Sequence, residues 1–214
     1  MQRAVPKIAK VELANTSVLI GMVKHKAGQF QKALTLFSDA LPVQQKAYGK
    51  THSIPGRTIF NMAVTYDELG DYKNCTSSLE QALSIQKSSL PPDHPDTLST
   101  KMYQARIQSS AGKFDYALTA LLGVLNSQKQ LFGPKHPLVA DTLHQIGICY
   151  ARKGKMNSAL KTYEVSKRHT FVFIAAAPSN TYIRTCCAQN EMKKSMALTA
   201  PALLSFGLES FFAR

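Results

Sequence analysis

Apolar residues recur every three or four positions along most of the chain, the spacing that places them on one face of an α-helix. The pattern is clearest between Asp141 and Ser166, where Gly154 interrupts it. Glycine readily takes the left-handed conformation that closes a helix, so this stretch is predicted to form two helices joined at Gly154. Its apolar or small positions are Leu143, Ile146, Gly147, Tyr150, Ala159, Leu160 and Tyr163.

The same arrangement recurs upstream at intervals of 42 residues. The junction glycines are Gly28, Gly70, Gly112 and Gly154. Seven residues before each stands Gly or Ala, five residues after it Ala or Cys, and nine residues after it a large apolar residue. Self-similarity at a fixed period indicates stacked units rather than one globular core. Each unit is predicted to be a helical hairpin whose small residues let the two axes approach closely.

These columns divide the chain into three parts. Residues 1–10 form an N-terminal extension or a truncated lead-in, residues 11–169 four repeats, and residues 170–214 a degenerate fifth repeat with an apolar C-terminal cap. The predicted first helices span about residues 11–27, 55–69, 95–111 and 137–153. The predicted second helices span about residues 30–47, 72–89, 114–132 and 156–169, and the last part is expected to form helices at 179–198 and 202–213.

Five columns of the fourth repeat resemble the signature of the tetratricopeptide repeat: Gly147, Tyr150, Gly154, Ala159 and Tyr163. The usual period of that repeat is about 34 residues. The longer period here, with a linker histidine at positions 52, 94 and 136, is similar to the repeats of the kinesin light chain family. The resemblance implies an all-α, right-handed superhelical solenoid of tetratricopeptide-like hairpins, four clear and one degenerate at the C-terminus. It also implies a non-catalytic adaptor or scaffold for protein–protein interaction.

In a stack of such hairpins the first helices line the concave face, so ligand contacts are expected from first-helix residues that do not pack on the second helix. The apolar members of this surface suit a hydrophobic anchor of a peptide, and the basic members suit flanking carboxylates. The predicted ligand is therefore an acidic peptide segment with an apolar anchor. The predicted groove residues are Lys26, Arg57, Phe60, Asn61, Val64, Met102, Tyr103, Arg106, His144, Gln145, Ile148 and Arg152.

The kinesin light chain resemblance also carries an expectation for individual residues. In that family, paired asparagines of the first helix bind the backbone of a cargo peptide. Asn61 matches the second of these positions and Gln145 is a near match, whereas Leu19 and Tyr103 depart from the pattern. Other tetratricopeptide proteins hold a C-terminal carboxylate with lysine, arginine and asparagine. Apolar residues replace the first pair of that set here, and we expect no carboxylate clamp.

The chain is strongly basic, with 26 Lys and Arg against 13 Asp and Glu and a net charge of +13. One interpretation is an acidic partner, whether peptide, protein, nucleic acid or membrane surface. The other is that lysines simply solvate the outer helix faces. Nucleic-acid binding through the basic surface is thus an alternative function. A structural oligomer formed through the apolar residues of 170–214 is a third.

Residues that carry chemistry are few. No phosphate-binding glycine loop, His-Glu-x-x-His motif, nucleophile elbow or cysteine metal pair is present, and Asp67, Glu68 and Asp71 are expected at scattered surface positions. We therefore expect no enzyme, cofactor or metal site, and the linker histidines to cap loops rather than bind zinc. The cysteine usage favours a reducing, cytoplasmic compartment. No apolar run reaches the length of a membrane span. The four cysteines are Cys75, Cys149, Cys186 and Cys187.

Overall fold

Eight α-helices follow one another in the computed structural model, which describes residues 7–176. They are α1 (Lys7–Lys26), α2 (Phe30–Tyr48), α3 (Ser53–Glu68), α4 (Tyr72–Ser89), α5 (Pro95–Ser110), α6 (Phe114–Phe132), α7 (Pro137–Arg152) and α8 (Met156–Ala176). Each odd-numbered helix pairs with the next even-numbered one, and each hairpin then packs on its neighbour in sequence. The predicted solenoid of four helical hairpins is confirmed for these residues.

The helix boundaries follow the repeat pattern closely inside the array and less closely at its ends. α4 and α6 have the predicted limits, whereas α1 begins at Lys7 and α8 continues to Ala176. Both extensions lack glycine or proline, which would stop a helix, and only the comparison with the other repeats suggested shorter limits. The helices predicted at 179–198 and 202–213 lie outside the described residues.

The four junction glycines have the predicted left-handed conformation. Their φ angles lie between 74° and 81°, and a Cβ atom at any of them would meet nothing within 4 Å. Conformation, and not lack of space, therefore requires glycine at these junctions.

Two other glycines are required by close packing. A Cβ atom on Gly21 would lie 2.5 Å from the ring of Phe37, and one on Gly147 would lie 2.5 Å from the ring of Tyr163. Both glycines lie within a first helix, and both rings belong to the second helix of the same hairpin. The small-residue column thus lets an aromatic side chain lie directly on the backbone of the facing helix.

Each of the three linker histidines caps the first helix that follows it, which confirms their predicted role in the loops. The Nδ1 atom of each ring accepts a hydrogen bond from the backbone N–H two residues later, satisfying a donor that the helix leaves unpaired. The pairs are His52 with Ile54, His94 with Asp96 and His136 with Leu138, at 3.2, 3.2 and 3.3 Å.

A buried polar pair joins successive hairpins at two of the three junctions. Thr58 donates to Gln44 Oε1 at 2.7 Å, and Thr142 donates to Gln128 Oε1 at 2.6 Å. At the middle junction Gln86 Oε1 has no donor among the described residues, although Gln86 is equally buried. This column is polar, so the pattern of apolar and small positions along the sequence does not reveal it.

Candidate peptide-binding groove

A groove of about 550 Å³ lies between the first helices α3, α5 and α7. Its lining mixes apolar side chains with charged and amide groups, as expected for a peptide site. The apolar lining residues are Met102, Ile107, Leu121 and Ile148. The polar lining residues are Asp67, Glu68, Arg106, Ser109, Ser110, Asp141, His144, Gln145 and Arg152.

Six of the twelve predicted groove residues line this space: Met102, Arg106, His144, Gln145, Ile148 and Arg152. All six come from α5 and α7, so the groove occupies the C-terminal part of the described array. The other six predicted residues, from α1, α3 and α5, do not line it: Lys26, Arg57, Phe60, Asn61, Val64 and Tyr103.

Tyr103 lies in the wall between α3 and α5. Its ring packs edge-on against Phe60 with 5.8 Å between centroids, and the Arg106 guanidinium carbon lies 4.1 Å from the ring centre. Its hydroxyl donates a hydrogen bond to Asp67 Oδ2 at 2.8 Å. Burial raises the pKa of Tyr103 above its usual value; Arg106 opposes this rise and the hydrogen bond to Asp67 adds to it.

Asp67 also forms an ion pair with Arg106, the Nη2 and Oδ2 atoms being 2.5 Å apart. The Asp67 side chain is only 15% exposed, which contradicts the expectation of a scattered surface acid. Asp71 likewise has a specific role, because its carboxylate accepts a hydrogen bond from the Asn74 N–H and caps α4. The role of Asp67 was not visible in the sequence, since its contacts join residues of different repeats. Asp71 stands directly before the predicted start of α4, where an aspartate is a recognisable N-cap, so its role could have been predicted.

The three predicted arginines all have partners within the chain. Arg106 pairs with Asp67, Arg57 pairs with Asp96 at 3.2 Å, and Arg152 donates to the Ser110 hydroxyl at 2.8 Å. The groove lining holds three carboxylates, on Asp67, Glu68 and Asp141, against two guanidinium groups. The basic excess of the chain is therefore not concentrated in this groove.

The remaining predicted residues differ in how far their side chains are exposed to solvent. His144 packs against Tyr163 with 5.4 Å between ring centroids, so it links the groove to the core of the fourth hairpin. Asn61 is half-buried, and its Nδ2 atom finds no acceptor among the described residues. Val64 is half-buried, whereas Lys26 is exposed.

Other chemistry within residues 7–176 is limited. No three His, Cys, Asp or Glu side chains lie together as a metal site in this part of the chain. Burial raises the pKa of the Cys75 thiol to about 11, with Asp67 adding to the effect, so this thiol is protonated and poorly nucleophilic near neutral pH. None of the helices described here is both long and apolar enough to cross a membrane.

The chain belongs to the tetratricopeptide repeat family, which it matches over residues 12–88 and 97–168. It contains a repeat scaffold, and no catalytic domain is identified in it. Proteins of this family generally mediate protein–protein interactions. No curated protein matches the chain at a significant level.

Solved structures with the same fold include kinesin-light-chain-like, nearly identical TPR-like repeats of Podosopora anserina, with 23% identity, a TM-score of 0.58 and coverage of 79% of this chain and 78% of that one. BtubC (BKLC) of P. vanneervenii has 15% identity and a TM-score of 0.66, over 81% of this chain and 67% of its own. A Rap protein complexed with Competence and Sporulation Factor has 18% identity and a TM-score of 0.65, and the match covers 94% of this chain and 55% of the Rap protein. At these identities the likeness shows the fold alone.

Proposed function

We propose that the protein is a non-catalytic adaptor or scaffold that binds a peptide segment of a protein partner in the groove between α3, α5 and α7. The observation that carries this proposal is the pair of half-buried apolar side chains, Met102 and Ile148, facing one groove beside exposed Arg152. The ligand is an acidic segment with an apolar anchor.

The apolar anchor follows from burial. Met102, Ile107 and Ile148 are half-buried, so part of each apolar side chain remains in contact with water. A ligand side chain placed among them removes that surface from water, which stabilises the complex by about 25 cal/mol per Å² of apolar area before the cost of association is deducted.

The acidic flank is assigned to Arg152 rather than to Arg106. Arg106 is held by the Asp67 carboxylate, and displacing it would leave that half-buried acid unpaired. Arg152 is exposed, and its hydrogen bond to Ser110 is to a neutral hydroxyl. A ligand carboxylate forms a stronger, charge-assisted bond to the same guanidinium. Glu68 and Asp141 restrict where along the segment the acids lie.

The other predicted residues extend this surface toward the N-terminal end of the array. Lys26 is exposed and supplies further positive charge, whereas Arg57 is exposed but paired with Asp96. Phe60, Asn61, Val64 and Tyr103 are half-buried. A cargo peptide of the kind bound by kinesin light chains is one ligand of this description. A reducing, cytoplasmic compartment agrees with the free, buried thiols of Cys75 and Cys149.

The test uses peptides selected from a displayed random library on the full chain, measured by fluorescence anisotropy. We expect the selected peptides to share an apolar residue flanked by Asp or Glu. Ile148→Asp and Arg152→Glu should each weaken binding by about tenfold or more. Added salt should also weaken binding to the wild-type chain, because it screens the contact between Arg152 and the ligand carboxylate. Leu122→Asp and Lys129→Glu, on the exposed side of α6, are the matched controls and should bind normally.

The nucleic-acid alternative gives a different result. A labelled single-stranded oligonucleotide would bind with an affinity that falls steeply with salt, and Ile148→Asp would not change it. That outcome, together with a library that yields no selective peptide, would replace the adaptor proposal with nucleic-acid binding.

A further inference from the structure

α1 exposes a row of apolar side chains that the predicted groove does not include. Leu13, Ile20 and Val23 are 61%, 46% and 66% exposed, and Thr16, also exposed, lies among them. The four residues are spaced by three or four positions, so they share one side of the helix.

The equivalent side of α7 is completely covered. The 42-residue period maps the four positions onto Val139, Thr142, Ile146 and Cys149, which are 0%, 0%, 2% and 0% exposed. The cover is α6, the second helix of the preceding hairpin, whose leucines Leu118 and Leu125 belong to the same core cluster. Thr142 completes the contact by its hydrogen bond to Gln128 on α6.

The two helices have similar side chains at these positions. α7 has Val, Thr, Ile and Cys, and α1 has Leu, Thr, Ile and Val in the same order. α1 has three large apolar residues around a hydroxyl, and no helix among the described residues covers them. Contiguous exposed apolar surface of this kind marks an interaction site.

We infer that the face of α1 formed by Leu13, Thr16, Ile20 and Val23, the α1 end face, is a docking site for an amphipathic helix of another tetratricopeptide-type hairpin. The docked helix resembles α6, which packs on α7 through Leu118, Leu125 and Gln128. Like α6, it has two leucines seven residues apart and a glutamine three residues further along. The glutamine accepts the hydrogen bond from Thr16, and the leucines cover Leu13, Ile20 and Val23.

In a second copy of this chain, α8 does not supply such a helix. The second helix of the last described hairpin is α8, which has Lys167 and Thr170 at the positions of Leu125 and Gln128. Lys167 would place an ammonium group against the apolar α1 end face, where its desolvation is unfavourable.

The experiment measures binding of a synthetic, fluorescently labelled peptide with the sequence of residues 114–132 to the full chain. An isolated helix is marginal in water, so the wild-type affinity is expected to be weak but measurable. Ile20→Glu and Val23→Glu should each reduce it at least tenfold. Both residues are exposed, so circular dichroism should show unchanged folding. Leu122→Glu is the matched control variant, and a peptide carrying Leu125→Lys is the matched control ligand.

The inference is overturned if the peptide binds the Ile20→Glu chain as well as wild type, or if the Leu125→Lys peptide binds equally. It is also overturned if sedimentation velocity shows wild-type self-association that Ile20→Glu abolishes, because a second copy would then occupy the α1 end face. Ile148→Asp separates the two proposed sites: it should leave this peptide unaffected, and loss of binding with Ile148→Asp but not with Ile20→Glu would place the peptide in the groove instead.

Discussion

Tyr163 lies against the backbone of Gly147, so closely that a Cβ atom on that glycine would be 2.5 Å from the ring. The first hairpin has the same combination of glycine and aromatic residue in Gly21 and Phe37. The middle hairpins have alanine and leucine instead, and each pair lies in one core cluster. These pairs are Ala63 with Leu79 and Ala105 with Leu121. The two positions therefore vary together to keep the volume between the helices nearly constant.

Gly147→Ala should lower the free energy of unfolding by about 1–3 kcal/mol, because the new methyl group forces the Tyr163 ring out of its position. Adding Tyr163→Leu to this variant recreates the combination of the middle hairpins and should recover part of the loss. Urea unfolding of the two single variants and the double variant measures the coupling. Strictly additive effects would contradict the volume argument.

The buried glutamines at the hairpin junctions are predicted to differ in their contribution. Gln128 accepts a hydrogen bond from Thr142, whereas Gln86 Oε1 accepts none among the described residues. Gln128→Leu should therefore be more destabilising than Gln86→Leu by about 1–2 kcal/mol, because only the first removes a satisfied buried acceptor. Equal shifts of the urea midpoint would show that the hydrogen bond adds nothing.

The half-buried hydroxyl of Tyr103 predicts a loss of stability at alkaline pH. Its pKa is raised in the folded chain, chiefly by burial. Above about pH 10 the unfolded chain therefore loses the hydroxyl proton, whereas the folded chain keeps it. The stability that this hydroxyl contributes is fully present below the pKa that Tyr103 has in the unfolded chain. It is lost as the pH rises through the higher pKa of the folded chain. Between pH 9 and pH 11 the urea midpoint of Tyr103→Phe should therefore fall by less than that of the wild-type chain. An identical loss in both chains would exclude Tyr103 as a source.

His136 is predicted to stabilise α7 through its cap. The ring also stacks on Phe132, with 4.7 Å between centroids, and two variants separate these contributions. His136→Ala removes both contacts and should cost about 0.5–2 kcal/mol, whereas His136→Asp keeps an acceptor at the cap and should recover most of that loss. Thermal unfolding of the two variants checks this expectation. If aspartate is as destabilising as alanine, the ring stack and not the cap is responsible.

About half of the candidate site was predictable from the sequence. Met102, Ile148 and Arg152 were identified because helix periodicity alone decides which side chains point away from the facing helix. Asp67 was missed because its role depends on the reach of Arg106 and Tyr103 from the next hairpin. Phe60 and Tyr103 were assigned to the groove, but they contact each other in the wall between α3 and α5.

The sequence by itself determined the repeat unit, its period and the helix junctions. Those features depend on local conformation and on short-range packing within one hairpin, and they are repeated in four copies. Only the tertiary structure decided which polar groups meet between hairpins, where the groove lies and that no other described helix covers the α1 end face. These outcomes depend on side chains brought together from different repeats, such as Asp67 with Arg106 and Gln128 with Thr142. No spacing rule within one helix determines whether two such side chains meet, because their contact follows from how the hairpins stack.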